Sequence, residues 1–253
     1  MSPKILITRP EKQAQDFIFR LLAQECMALH NNDFMIEPMV EIHFLPFTWP
    51  ELSVNHGIII TSTNALDALL AHENLEDEQC RREVLTCPLY LVGQHTADQA
   101  MKYGFSRIET AQPTAQALHQ KINTLQKRGH LLYLRGRDVR HDFTSQERIE
   151  DLVVYDARKV AALSEQAQQA LKNDGVQAVT FFSVRTALNF VERIEENELT
   201  SALRNIKALC ISPAVLESVR ACWPGGIDAA QTPDFEGMKT LVLQEIDESR
   251  GNS

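Results

Sequence analysis

The sequence predicts an α/β fold with two similar, doubly wound, five-stranded parallel sheets in three-layer α/β/α domains. Three observations predict it. Short apolar runs alternate with helix-patterned segments along nearly all of the 253 residues. The runs are apolar throughout rather than at every second residue, as in parallel strands covered on both faces. The second half of the chain also repeats the order and spacing of units in the first.

The elements follow in order. KILIT (4–8) is a strand, and AQDFIFRLLAQ (14–24) carries apolar residues at helical spacing. FMIEPM (34–39) is a second strand, and GIIIT (57–61) is a buried strand whose Thr/Ser turn leads into the apolar face of NALDALL (64–70). LYLVG (89–93), the helical TADQAMKYG (96–104) and SRIET (106–110) come next. LLYLRG (131–136) and LVVYDAR (152–158) form another strand pair. AVTFFS (178–183), ALCIS (208–212) and GIDAA (226–230) are the last strands.

Aligning GIIITSTNALDALL on AVTFFSVRTALNFV matches Ser62 to Ser183. Gly93 then matches Ser212, at separations of 31 and 29 residues. Ala111-Gln112 matches Ala230-Gln231, each 18 residues beyond its predecessor. Three matching units in one order point to an internal duplication. The chain therefore runs as a two-strand, a three-strand, a two-strand and a three-strand unit. Each domain needs one of each, and the pattern alone leaves open which three-strand unit residues 1–38 complete.

Bulk properties narrow the function. Hydrophobic residues are 44% and charged residues 23% of the chain, ordinary for a globular protein. No apolar run approaches the roughly 18 residues of a membrane span, and the N-terminus lacks a signal-peptide pattern. The five cysteines form no C-x-x-C pair, and the eight histidines form no H-x-x-x-H, so neither a disulfide framework nor a metal site is expected. Reduced thiols suit a cytoplasmic protein. A net charge of −9 argues against nucleic acid as the main partner, while allowing a small anion at a local basic cluster. With no large apolar patch apparent, a monomer is expected.

A ligand of such a fold sits beyond the carboxyl ends of the strands, near helix N-termini. The residues there are Thr8-Arg9-Pro10, Thr61-Ser62-Thr63-Asn64, Gly93-Gln94-His95-Thr96, Arg135-Gly136-Arg137 with Arg140 and His141, and Ser183 with Arg185. Ser, Thr and Asn cap helices there, and the same free N–H groups, helped by the helix dipole, bind carboxylate or phosphate. Arginine adds bidentate carboxylate recognition. Plain capping and solvated surface charge are the competing readings. Neither G-x-G-x-x-G nor a P-loop occurs, so neither a dinucleotide nor a nucleoside triphosphate is supported.

In order and spacing these residues resemble the uroporphyrinogen-III synthase family, over residues 5 to about 243. The family pattern is a first strand ending T-R-P, a T-S-x-N-A turn, V-G-x-x-T-A, R-G-x-x-x-R, a tyrosine on the next strand, F-x-S, and G-P-x-T-A. The corresponding residues are Thr8-Arg9-Pro10, Thr61–Ala65, Val92–Ala97, Arg135–Arg140, Tyr155 and Phe182-Ser183. The last turn departs: Ser212 stands where Gly is usual and Val215 where Thr is usual. On the resemblance, the Val215 exchange removes a hydroxyl from a ligand-facing wall.

The resemblance implies a swapped N-terminal unit. Residues 1–38 with 162–253 form one domain and 43–155 the other, joined by connecting strands at 39–42 and 156–161. The implied reaction cyclises hydroxymethylbilane to uroporphyrinogen III, inverting the last pyrrole ring and losing water, in haem and sirohaem biosynthesis. It needs no cofactor, metal, nucleic acid or membrane. The implied catalytic residues are Tyr155, as proton donor, and Thr96. The implied substrate-binding residues are Arg9, Ser62, Thr63, Asn64, Gly93, Arg135, Arg140, Ser183, Arg185 and Ser212. The rival reading is a non-catalytic two-lobed paralogue that binds tetrapyrroles or small anions, supported by Ser212 and Val215.

Overall fold

A computed structural model describes residues 4–25, 29–48, 57–124, 129–138, 141, 143 and 148–251. Its strands are β1 (Lys4–Ile7), β2 (Phe34–Ile36), β3 (Val40–Phe44), β4 (Gly57–Ile60), β5 (Leu89–Val92), β6 (Ile108–Gln112), β7 (Leu131–Gly136), β8 (Ile149–Lys159), β9 (Val176–Phe181), β10 (Lys207–Cys210) and β11 (Ile227–Ala229). Its helices are α1 (Glu11–Gln24), α2 (Thr63–Leu70), α3 (Glu78–Thr86), α4 (Gln94–Lys102), α5 (Ala115–Thr124), α6 (Glu165–Lys172), α7 (Val184–Glu196), α8 (Pro213–Val219) and α9 (Phe235–Gly251). The chain divides into two compact units, residues 1–41 with 158–253, and residues 42–157.

The first unit carries a sheet in the order β2-β1-β9-β10-β11, with its neighbours parallel. Alternation along the strands explains its three layers. Ile5 and Ile7 of β1, Ala178 of β9 and Leu209 of β10 pack with Phe17 and Leu21 of α1 and Met238 and Val242 of α9. Leu6, Val179 and Phe181, Ala208 and Cys210 face the other way, onto Phe190 and Ile194 of α7 and Val219 of α8. Each large side chain so buried contributes about 1.5–3 kcal/mol.

The second unit carries the order β3-β8-β7-β4-β5-β6. Ile58 and Ile60, Leu89 and Leu91, Leu132 and Leu134 pack under α2, α3 and α4, while Ile59, Tyr90, Leu131 and Tyr133 face Leu118 and Ile122 of α5. The run GIII is buried at every residue, which is why it shows no alternation in sequence. Beside the five expected strands stands β3, a sixth, at the edge against β8.

Counted from its two-strand unit, each sheet has the spatial order 2-1-3-4-5: β1, β2, β9, β10, β11 in one and β7, β8, β4, β5, β6 in the other. The duplication read from the sequence is thus a duplication of topology. In this order the strands reverse direction of winding between β1 and β9, and between β7 and β4. Those are the two switch points at which doubly wound sheets take ligands.

α7 secures the strands that lead out of the first unit. The Asn189 side-chain amide donates to the Met39 carbonyl at 2.8 Å and the Val160 carbonyl at 3.1 Å. Arg193 donates to the Ala161 carbonyl at 2.6 Å, and the Val160 N–H reaches the Met39 carbonyl at 3.2 Å. Glu37, buried, accepts from the Ser164 N–H at 2.8 Å and the Ser164 hydroxyl at 2.6 Å. Ser164 caps α6 in turn, so the end of β2 is tied to the start of that helix.

Candidate functional site

At the first unit's switch point, the buried Thr8 hydroxyl donates to the Thr180 carbonyl and Thr180 donates back to the Leu6 carbonyl at 3.2 Å. This locks the carboxyl ends of β1 and β9 together and sets Arg9 beside Phe182. The Arg9 guanidinium lies 4.5 Å from the Phe182 ring centre and donates to Gln13 at 3.3 Å. Phe182 is held edge-on by Phe17 at 5.1 Å. Among the described residues no carboxylate lies within ion-pair distance of Arg9. Burial pulls its guanidinium down to about 10, with Asp16 opposing and Arg20 adding to the fall. It is therefore charged at neutral pH and desolvated, with a ring face and one amide as its contacts among the described residues and Asp16 acting at longer range: a group suited to an incoming carboxylate.

Ser183 caps α7, accepting from the Thr186 N–H at 3.1 Å with its hydroxyl 2.7 Å from that of Thr186. Arg185 is half-buried in the first turn of that helix. Ser212 caps α8, accepting from the Val215 N–H at 3.4 Å, and α8 has only seven residues. Val215 is 4% exposed and packs in the core, where a ligand-facing wall was expected. The position three residues after a cap points inward on any such helix, and Ala65, Thr96 and Thr186 are buried at the same position.

In the second unit Ser62 caps α2 through the Asn64 N–H at 3.1 Å, with Thr63 and Asn64 in the first turn. Just before them the Thr61 hydroxyl lies 3.3 Å from that of Tyr133. Gly93 begins α4 at φ +83°, a conformation that favours glycine, and its N–H donates to the Gln112 carbonyl at 2.8 Å. Its counterpart Ser212 is extended, at φ −156°, so the duplicated turns have diverged: one caps with a side chain, the other has no capping side chain. Thr96 is 6% exposed and close to Gly93; among the described residues its hydroxyl has no hydrogen-bond partner.

Arg135 sits on β7, where its Nε donates to Asp151 on β8 at 2.5 Å and a terminal nitrogen donates to the Gly136 and Arg137 carbonyls at 3.1 and 3.3 Å. That set commits the guanidinium to holding the end of β7. Arg140 lies outside the described residues. Tyr155 of β8 is half-buried, pairs with Gly136 across the ladder, and has no hydroxyl partner among the described residues. Sequence reasoning missed a pair of imidazoles: His119 Nδ1 and His141 Nε2 lie 2.8 Å apart, with Phe143 stacked on His119. No spacing signals a contact between α5 and the stretch after β7.

Among the described residues no group of three or more His, Cys, Asp or Glu is placed to hold a metal ion, and no helix is long and apolar enough to cross a membrane. Cys80, Cys87, Cys210 and Cys222 are free thiols.

Sheets wound in this order, each with helix N-termini at its switch point, define a protein of two doubly wound α/β units, a class that takes ligands at sheet ends. The family model described as uroporphyrinogen-III synthase HemD matches residues 29–239, and the chain belongs to that family. A solved uroporphyrinogen-III synthetase from Helicobacter pylori aligns over 96% of this chain and 99% of its own, at 17% identity and a TM-score of 0.64. Two structures of uroporphyrinogen III synthase from Thermus thermophilus align at 15% and 13% identity with TM-scores of 0.41 and 0.47. They cover 98% and 99% of this chain and 99% and 100% of their own. The first likeness concerns the fold. No curated protein matches the chain.

Proposed function

We propose that this chain is a uroporphyrinogen-III synthase that cyclises hydroxymethylbilane to uroporphyrinogen III with inversion of the last ring and loss of water. The observation that carries the reading is the family match over residues 29–239. The arrangement at the sheet ends suits it. The substrate is a linear tetrapyrrole bearing carboxylates, and Arg9 with the capped N-termini after Ser62 and Ser183 offers cationic and N–H donors for them. Thr63, Asn64, Gly93, Arg185 and Ser212 extend that set, and Arg135 braces it from β7.

The electron-rich pyrrole expels hydroxide once that group receives a proton. Tyr155 donates it: the phenolic proton joins the departing hydroxyl, the carbon–oxygen bond breaks and water leaves. The terminal ring then attacks the freed methylene carbon through its own bridge-bearing α carbon, and the bond from that carbon to the old bridging methylene breaks. The released methylene re-bonds at the ring's free α carbon, whose proton restores the phenol as the inverted ring regains aromaticity. Thr96 provides a second hydroxyl near the α4 N-terminus. Most of the acceleration comes from folding the chain so that the inverted ring closes first, which is catalysis by positioning with one proton donor. The reaction calls for no cofactor, and the enzyme acts as a cytoplasmic monomer.

The test is a coupled assay in which hydroxymethylbilane is generated in situ and the oxidised products are separated into type I and type III isomers. Protein-dependent type III isomer is the expected result. Type I alone, as in the uncatalysed control, would leave the chain as a binding protein on the same fold.

A further inference from the structure

We infer that Gly136 is a positioning residue for Tyr155, leaving room for the phenol that a β-bulge aims across the end of β7. The inference rests on Tyr155 as proton donor. Pairing of β7 with β8 is one-to-one from Leu131 with Ile149 to Arg135 with Val153, and then Gly136 faces Tyr155. Val154 is therefore an extra residue on β8. A bulge of this kind bends its strand and re-aims the next side chain. Val154 is fully buried in the core, while Tyr155 is half-buried beside it.

The ring arrives over Gly136. A Cβ on residue 136 would stand 2.7 Å from Tyr155 Cζ, 2.9 Å from Cε2 and 2.9 Å from the hydroxyl oxygen. Unstrained carbon contacts lie at about 3.5–4.0 Å. Every other residue type brings that Cβ, so the ring or the strand would move. The strand is the harder to move. The Arg137 N–H donates to the Tyr155 carbonyl at 2.9 Å, and Arg135 grips the Gly136 and Arg137 carbonyls while paired to Asp151. The ring yields, and its hydroxyl leaves the β7 end of the switch point. Unlike Gly93, Gly136 has no positive φ; its requirement is space.

The test uses Gly136→Ala in the full chain, read by turnover and by 19F NMR of protein grown with 3-fluorotyrosine. The four tyrosines give separable signals, and Tyr155→Phe assigns one of them. Gly136→Ala is expected to shift the Tyr155 signal and leave the other three. It should lower kcat about tenfold or more with KM nearly unchanged, and add less than about twofold to the loss in a Tyr155→Phe background. An unmoved Tyr155 signal, an unchanged kcat, or losses that simply add would overturn the inference. If Gly136→Ala does not fold, Gly136→Ala/Tyr155→Ala decides. A folded double variant supports the conflict between ring and Cβ, and an unfolded one refutes it. A parent chain that makes no type III isomer overturns the enzyme reading and the catalytic part of this one, whereas the 19F shift still reports whether Gly136 sets the position of Tyr155.

Discussion

Asn189 and Met39 are 150 residues apart in sequence, yet the Asn189 amide donates to the Met39 carbonyl at 2.8 Å inside the first unit. The same amide nitrogen serves the Val160 carbonyl, so one side chain on α7 holds both chain segments that run to the second unit. Asn189→Ala leaves two carbonyls without that donor. Each buried loss of this kind costs about 1–3 kcal/mol, so a fall in unfolding free energy of about 2–4 kcal/mol is expected by denaturant titration. A change below about 0.5 kcal/mol would mean that water replaces the amide without loss.

Tyr155→Phe removes a hydroxyl that makes no hydrogen bond among the described residues, so stability should stay close to that of the parent. Loss of a general acid typically lowers turnover by about 10²–10⁴. The expected result is a kcat reduced by that order in the isomer assay, with an unchanged melting temperature. Parent-like turnover would remove Tyr155 from the mechanism.

Arg9→Met separates binding from stability. Methionine keeps an apolar contact with Phe182 and removes a desolvated charge that Asp16 offsets only in part. Folding should be unimpaired, while KM rises about tenfold or more with the loss of one charge-assisted contact. The pH dependence has a definite sign. Because burial lowers the Arg9 guanidinium to about 10, its attraction for carboxylates is complete at neutral pH and fades as pH climbs through that value. A KM in the parent that does not rise there, or does not rise on Arg9→Met, counts against Arg9 as a substrate contact.

Asp234 caps α9, accepting from the Gly237 N–H at 2.9 Å and from the Thr232 hydroxyl at 2.9 Å. The Gly237 N–H and then the Thr232 hydroxyl hold this carboxyl below its ordinary value of 3.8. A lowered folded-state value means that the charged form stabilises the fold. That contribution is whole above 3.8 and is lost as pH falls through the lower folded value. Asp234→Ala should therefore melt earlier than the parent at pH 7, with the gap narrowing in strong acid. A gap that is constant with pH would assign the effect to the helix rather than to the charge.

Cys210 is buried on β10, and burial, aided by Asp228, pushes its thiol up to about 12. The thiolate is the reacting form. Cys210 should resist alkylation at pH 8 in the native protein and react fully in denaturant, as mass spectrometry of the tryptic peptide would report. Native-state labelling at the denatured rate would contradict that burial.

Much of the fold was legible because burial on both faces writes itself as unbroken apolar runs: GIII and ALC are strands from composition and length alone. The duplication was legible because Ser62 and Ser183 start the same turn. β3 was read only as a connecting strand at 39–42: VEIHF alternates apolar and polar residues, but its partner β8 lies more than a hundred residues on, so the sequence does not show that it joins the sheet. Arg135 and Val215 show the limit at the site. A strand-end arginine reads as a ligand contact until Asp151 is seen on the neighbouring strand, and a residue inside a capped turn reads as exposed until helix geometry turns it into the core. The bulge at Val154 and the room at Gly136 are properties of a ladder between two strands, which no single stretch of sequence contains.

The swapped order of the sheets has a consequence for synthesis. β1 sits in the middle of its sheet, between β2 and β9, and Thr8 makes its bond to Thr180 across 172 residues. As the chain leaves the ribosome, β1, α1 and β2 emerge well before β9, β10 and β11, the rest of their sheet. Residues 42–157 can close their own core while the opening segment waits for β9. Of the two units, the one begun earlier is completed later, and until β9 arrives the apolar faces of β1 and α1 lack their sheet neighbours.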